Sequence, residues 1–288
     1  MLSKFTTHNW IQTEVRMFAD DTKVWKKITE LKDCKDLQED LARLQDWSET
    51  WLLQFHPDKC KVMHVGHKHR FQYQISQGNQ TYTLKETAEE KDLGVIVSNS
   101  LTVSTQCAEA AKKAMRVLGM VRRQFKNMDK ECFILLYKTF IRPHLECSIQ
   151  VWSPYMKRDI ECLEKVQRRA TKLVSRLKNC SYEVRLIKFG LTTLAERRQR
   201  GDLIETYKII TGKEKVRAED LFSFNQSSYN LRGHCYKLAT NRSRLEVRRN
   251  YFSQRVVGPW NRLPSHVVEA PSVNTFKNRL DRSKKGTS

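Results

Sequence analysis

Apolar positions alternate at the start of the chain and then change period. Val15, Met17 and Ala19 alternate into Asp20 and Asp21, and Val24 and Ile28 continue beyond. Alternation with a polar tip predicts a strand, a tight turn and a returning strand. Leu37, Leu41, Leu44, Trp47 and Trp51 then recur at three- and four-residue steps, which predicts an amphipathic helix over 33–53, closed by Pro57. Lys59 through Val65 reads as a strand. Residues 71–75 and 80–84 read as a hairpin around Gly78-Asn79, and 91–97 as one more strand. A glycine inside that strand, Gly94, suggests a bulge or a close backbone approach.

From residue 101 the period is helical. A helix over 102–126 carries the stripe Met115, Leu118, Val121 and Phe125. Asp129 caps the next, with Phe133, Leu136, Tyr137 and Phe140 inward until Pro143. A third over 156–178 faces inward through Ile160, Leu163, Val166, Ala170, Leu173 and Leu177. Helices over 181–189 and 194–211 end at Gly190 and Gly212, the second opening with the capping box Thr193 to Glu196. Residues 213–240 have few apolar anchors and read as loop. Tyr251, Phe252, Val256, Val257 and Trp260 suggest one helix before Pro264, and Ser272 a last one with Val273, Phe276 and Leu280. The fold class is therefore α+β and helix-dominant, with a small antiparallel sheet followed by helices.

Charge divides the chain at the same place. Residues 1–100 hold 14 Lys+Arg against 15 Asp+Glu, and the remainder 39 against 17. That asymmetry points to a nucleic-acid-facing half, because phosphate contacts are the commonest reason to assemble so much cationic surface. The basic positions fall on the polar faces of two predicted helices: Lys112, Lys113, Arg116, Arg122 and Arg123 on the first, and Lys165, Arg168, Arg169, Lys172 and Arg176 on the other. No apolar run approaches the ~20 residues of a membrane span, so no membrane partner is expected. Residues 1–10 lack the apolar core of a signal peptide. Eight scattered cysteines then read as reduced thiols in an intracellular, unsecreted protein. Cys60, His64, His67 and His69 fit none of the usual zinc spacings.

Asp20 and Asp21 at a hairpin tip offer hard oxygen ligands for divalent metal, although paired Asp also suits turns for local reasons. The hexapeptide Phe18-Ala19-Asp20-Asp21-Thr22-Lys23 resembles the active-site hairpin of reverse transcriptases, in the form used by non-LTR (LINE-type, jockey-like) retrotransposons. Further segments resemble that family in order: Leu44-Gln45-Asp46-Trp47, Lys59-Cys60-Lys61-Val62-Met63-His64, Glu90-Lys91-Asp92-Leu93-Gly94-Val95, Ile141-Arg142-Pro143-His144-Leu145-Glu146 and the run 163–172. Arg200-Gly201-Asp202-Leu203-Ile204-Glu205, Phe252-Ser253-Gln254-Arg255-Val256-Val257 and Trp260-Asn261-Arg262-Leu263-Pro264 resemble the segment beyond the thumb.

The resemblance implies a partial palm over 1–100, with hairpin and primer-grip strand, and a helical thumb over 101–180. A helical C-terminal segment over 181–288 follows, with a loop at 213–240. It implies RNA-directed DNA polymerase chemistry with Asp20 and Asp21 as catalytic metal ligands for Mg2+ or Mn2+. Lys59 or Lys61 would lie near the incoming nucleotide, and Leu93 and Gly94 against the primer backbone. The basic helices would hold an RNA or RNA–DNA template–primer through its phosphates. Such enzymes use a third metal-binding aspartate and nucleotide-contacting fingers on earlier segments. The expectation is therefore a fragment without polymerase activity of its own. The alternatives are a non-catalytic basic nucleic-acid-binding module, or an unselected relic of a mobile element.

Overall fold

The computed structural model describes residues 11–19, 21–66, 70–78, 80–225 and 233–285. The chain forms two compact units, Met1–Asp92 with Ile96–Leu101, and Leu93–Val95 with Thr102–Ser288. Helix dominates, with small two-stranded ribbons confined to the N-terminal third.

In the first unit, β1 (Glu14–Phe18) pairs antiparallel with β2 (Asp21–Trp25), and α1 (Leu31–Thr50) follows. A 3-10 turn at Pro57–Lys59 leads into β3 (Lys61–Val62), and β4 (Gln74–Gln77) pairs antiparallel with β5 (Gln80–Thr83). β6 (Lys85–Glu86) runs parallel to β3, and β7 (Glu89–Asp92) pairs with β8 (Val95–Ser98). Three expectations change. The strands form separate ribbons and no single sheet. The strand expected from Lys59 is shortened because Pro57, preset at its φ, starts the 3-10 turn. Residues 91–97 are two strands and a turn: Leu93 (φ +44) and Gly94 (φ +88) are both left-handed, the pattern of a type I′ hairpin. A Cβ on Gly94 would meet nothing within 4 Å, so conformation and not close approach calls for glycine.

The second unit opens with α2 (Ser104–Gln124), whose buried side is made of small residues, Cys107, Ala110, Ala111 and Ala114, then Leu118 and Val121. These let α6 (Lys157–Ala170) pack closely against it. Phe125 closes α2 with extended backbone and is 44% exposed, against the inward position expected. Asp129 caps α3 (Lys130–Leu136), accepting the Cys132 N–H at 2.7 Å. The helix then runs through a π turn (Tyr137–Ile141) into α4 (Arg142–Glu146) and does not stop at Pro143. Its buried residues Phe133, Tyr137, Ile141 and Leu145 are four apart, and the wide π turn absorbs the excess over 3.6 per turn. The same widening leaves Phe140 exposed.

A short α5 (Ile149–Trp152) precedes α6. α6 ends at Ala170, eight residues before the limit expected, for a tertiary reason. Arg185, from α7 (Tyr182–Phe189), donates to the Thr171 hydroxyl (3.0 Å) and the Arg168 carbonyl (3.4 Å), satisfying groups that a longer helix would use. α8 (Leu194–Ile210) has the expected capping box. It contributes Leu194 to a core with Phe133, Tyr137 and Leu163, and Leu203 and Tyr207 to a second core with Trp260, Val267, Phe276 and Leu280.

The C-terminal region carries α9 (Ala218–Leu221), α10 (Glu246–Arg249), α11 (Phe252–Arg255), α12 (Val257–Asn261), α13 (Ser265–Val268) and α14 (Val273–Lys285). The single helix expected before Pro264 is broken at Val256, since Pro259 removes one N–H. Among the described residues no helix is long and apolar enough to cross a membrane. The eight cysteines are free thiols.

Candidate nucleic-acid interface

The β1 to β2 hairpin alternates cleanly. Val15, Met17, Thr22 and Val24 are half-buried, while Arg16, Phe18, Asp21, Lys23 and Trp25 are exposed. The register pairs Phe18 with Asp21, and Ala19, which follows β1, holds φ +54. A left-handed alanine stores about 1–2 kcal/mol of strain, a feature that concentrates at functional sites. Asp21 is exposed beside that turn. Asp20 lies outside the described residues.

The base of the hairpin is held by a residue that periodicity alone would assign to the core. Asp40 is fully buried on α1, and its carboxylate accepts the backbone N–H groups of Gln12 (3.0 Å) and Thr13 (2.8 Å). Arg43 donates to it at 2.6 Å, offsetting the buried charge. The signal was present in the sequence: an acid three residues after Leu37 and four before Leu44 interrupts the apolar stripe.

β7 carries two ion pairs to other elements of the first unit. Its half-buried Glu90 accepts from Lys61 at 2.7 Å, and Asp92, on the same side, pairs with Lys23. Lys61 thus has its ammonium neutralised, whereas Lys59 sits exposed in the 3-10 turn with no acidic partner within 4 Å among the described residues. Leu93 is 58% exposed at the tip of the β7 to β8 turn, a bulky apolar residue in a backbone conformation that favours Asn or Gly. His64 accepts the Phe71 N–H through Nε2 at 3.3 Å, while its Nδ1 lies 3.4 Å from Glu86 and makes no hydrogen bond among the described residues. His67 and His69 lie outside the described residues. Among the described residues no group of three or more His, Cys, Asp or Glu is arranged for metal.

In the second unit, Lys112, Lys113, Arg116, Arg122 and Arg123 on α2, and Lys165, Arg168 and Arg169 on α6, are all exposed. So are Lys172 and Arg176 in the turns that follow. Of these ten, only Lys112 has an acidic partner within 4 Å among the described residues, Glu109 at 3.4 Å. Arg168 instead lies over the Tyr182 ring, 4.6 Å from its centroid. On α2 Lys112, Lys113, Arg116 and Arg123 stand away from the buried stripe and Arg122 flanks it, as a 100° step per residue requires.

Several acids and amides of the second unit are turned inward. Glu164 and Gln167 of α6 are buried. Gln167 accepts from Tyr137 and donates to Tyr182 (2.7 Å) and the Thr192 carbonyl (3.0 Å). Glu164 takes the Tyr182 hydroxyl and the Leu194 N–H, the latter at 3.1 Å in the first turn of α8. Burial pushes the Tyr137 and Tyr182 hydroxyls well above their usual range, so both remain donors. Arg197 pairs with Glu146, and Arg200 meets Asp281 in two hydrogen bonds of 2.7 and 2.8 Å. Asn261 bonds the Leu238 backbone in both directions, at 2.9 and 2.8 Å.

No family model matches this chain, and no curated protein or solved structure is similar to it.

Proposed function

We propose that the chain is the hairpin-and-thumb portion of a non-LTR reverse transcriptase, and that its helical unit holds an RNA–DNA template–primer by its phosphates. The observation that carries the binding reading is the set of ten exposed basic side chains on α2, α6 and the following turns, nine of them without an acidic partner among the described residues. Phosphates take such unpaired cations readily, and their contacts position a duplex without reading sequence. The family reading is supported by the ordered sequence segments, and by a strained hairpin tip beside an exposed carboxylate.

Asp21 offers hard oxygen ligands of the kind Mg2+ or Mn2+ prefers, with Asp20 its neighbour in sequence. Two such ions, when bound, stabilise the attacking and leaving oxygens of phosphoryl transfer. That arrangement calls for a further carboxylate across the site, so we expect binding from this chain without nucleotide incorporation.

Filter binding to an RNA–DNA hybrid across a salt series tests the binding reading. Log affinity should fall linearly with log salt, and replacing Lys113, Arg116 and Arg123 by Ala should flatten the slope by about 2–3. An affinity indifferent to salt would overturn the reading. Primer extension on a poly(rA) and oligo(dT) substrate with Mg2+ or Mn2+ tests the second expectation. Incorporation abolished by Asp20→Ala would show that the chain is a polymerase by itself. Binding without extension is the outcome expected, and it is shared by a non-catalytic binding module.

A further inference from the structure

A second, differently built basic surface lies far along the chain from α2 and α6. Residues 241–251 read Asn-Arg-Ser-Arg-Leu-Glu-Val-Arg-Arg-Asn-Tyr, with Arg242, Arg244, Arg248 and Arg249 all exposed. The one acid, Glu246, is taken by Arg249 at 2.5 Å. Arg242, Arg244 and Arg248 have no acidic partner within 4 Å among the described residues. Arg248 lies over the ring of Tyr251, 5.5 Å from its centroid, and Tyr251 is itself 43% exposed.

The segment is mounted firmly. The Asn241 N–H bonds the Gln254 side chain (3.1 Å), Arg249 Nε bonds the Ser243 carbonyl (2.9 Å), and Arg255 Nη1 bonds the Asn250 carbonyl (3.1 Å). Phe252, the next residue, is buried in the C-terminal core. An ordinary solvated surface mixes charges of both signs and leaves few aromatics outside. Here three unpaired guanidinium groups and an aromatic face are held together on a pinned backbone.

We infer that residues 242–251 bind single-stranded nucleic acid. An unpaired base stacks on Tyr251 and Arg248, while Arg242 and Arg244 take the flanking phosphates. Bases within a duplex are stacked on each other and offer no free face, so the chemistry selects an unpaired stretch. This rests on the reading of the protein as nucleic-acid-binding, and adds a contact for the strand outside the duplex.

The test uses the full chain and fluorescence anisotropy at fixed salt, with two probes, an oligouridylate and an RNA–DNA hybrid of the same length. Replacing Arg244, Arg248 and Tyr251 by Ala should weaken oligouridylate binding about tenfold and hybrid binding less than about twofold. Replacing Lys113, Arg116 and Arg123 by Ala should do the reverse. Tyr251→Phe should keep the oligouridylate affinity and Tyr251→Leu should lose it, which separates stacking from charge. An unchanged oligouridylate affinity in the triple Ala variant, or an equal loss on both probes, overturns the inference. So does binding of phosphatidylserine vesicles that this variant abolishes while oligouridylate binding survives. Failure of the unaltered protein to bind either probe instead overturns the reading on which the inference rests.

Discussion

Asp202 on α8 and Arg255 on α11, 53 residues apart, form a two-point ion pair, Nε to Oδ2 at 2.8 Å and Nη2 to Oδ1 at 2.9 Å. Both are buried or nearly so. Arg255 also donates to the Gln150 carbonyl (3.0 Å) and the Asn250 carbonyl (3.1 Å), tying α11 to α5 and to the segment before it. Burial raises the Asp202 carboxyl from its ordinary value, and the guanidinium opposes that rise.

Asp202→Asn should therefore destabilise the helical unit by about 3–5 kcal/mol, because it leaves the Arg255 charge buried without its counterion. Replacing both residues by apolar ones of similar size should recover much of the loss. Urea unfolding followed by circular dichroism measures both. A single substitution costing under about 1 kcal/mol would show the pair to be incidental.

Asp40 should govern the hairpin locally. Asp40→Ala leaves the Gln12 and Thr13 N–H groups without their acceptor and should cost about 1–3 kcal/mol. Hydrogen exchange should accelerate at Arg16 and Phe18, whose amides the register turns toward β2, with protection on α6 unchanged. Equal acceleration in both places would mean that the residue supports the whole molecule.

Leu93 sets stability against contact. Asn accepts φ +44 more readily than Leu, so Leu93→Asn should stabilise the protein by about 1 kcal/mol. If the exposed leucine meets nucleic acid, affinity for the RNA–DNA hybrid should fall in the same variant. A gain in Tm with unchanged affinity would remove Leu93 from the interface.

His234 makes the C-terminal core sensitive to acid. The ring is buried, one nitrogen lies 3.1 Å from the Trp260 carbonyl, and Nδ1 has no partner among the described residues. Burial lowers its pKa from the ordinary 6.5, so the folded protein resists a proton that the unfolded chain accepts. Its contribution is complete above pH 6.5 and is lost progressively as pH falls below that value. Tm measured from pH 7.5 down to 5.5 should drop more steeply for the natural protein than for His234→Gln, which keeps a donor without titrating.

Where an element satisfies its own backbone, the pattern of residues was enough to read it. Asp129 and Thr193 cap helices as read, Gly190 and Gly212 end them in left-handed backbone, and Gly78 begins the β4 to β5 turn. The basic faces of α2 and α6 were legible too, since helical period alone puts Arg116 and Arg123 opposite Ala114 and Leu118. What escaped were the limits and partners set by distant side chains. α6 stops at Ala170 because Arg185 arrives from another helix, and Asp40 is a hairpin anchor because Gln12 and Thr13 reach it from 28 and 27 residues away. Lys61 and Lys23 look free in sequence and are neutralised by Glu90 and Asp92. Local periodicity encodes which face of an element avoids water. It carries no record of which buried charge will need which partner, and only packing supplies that.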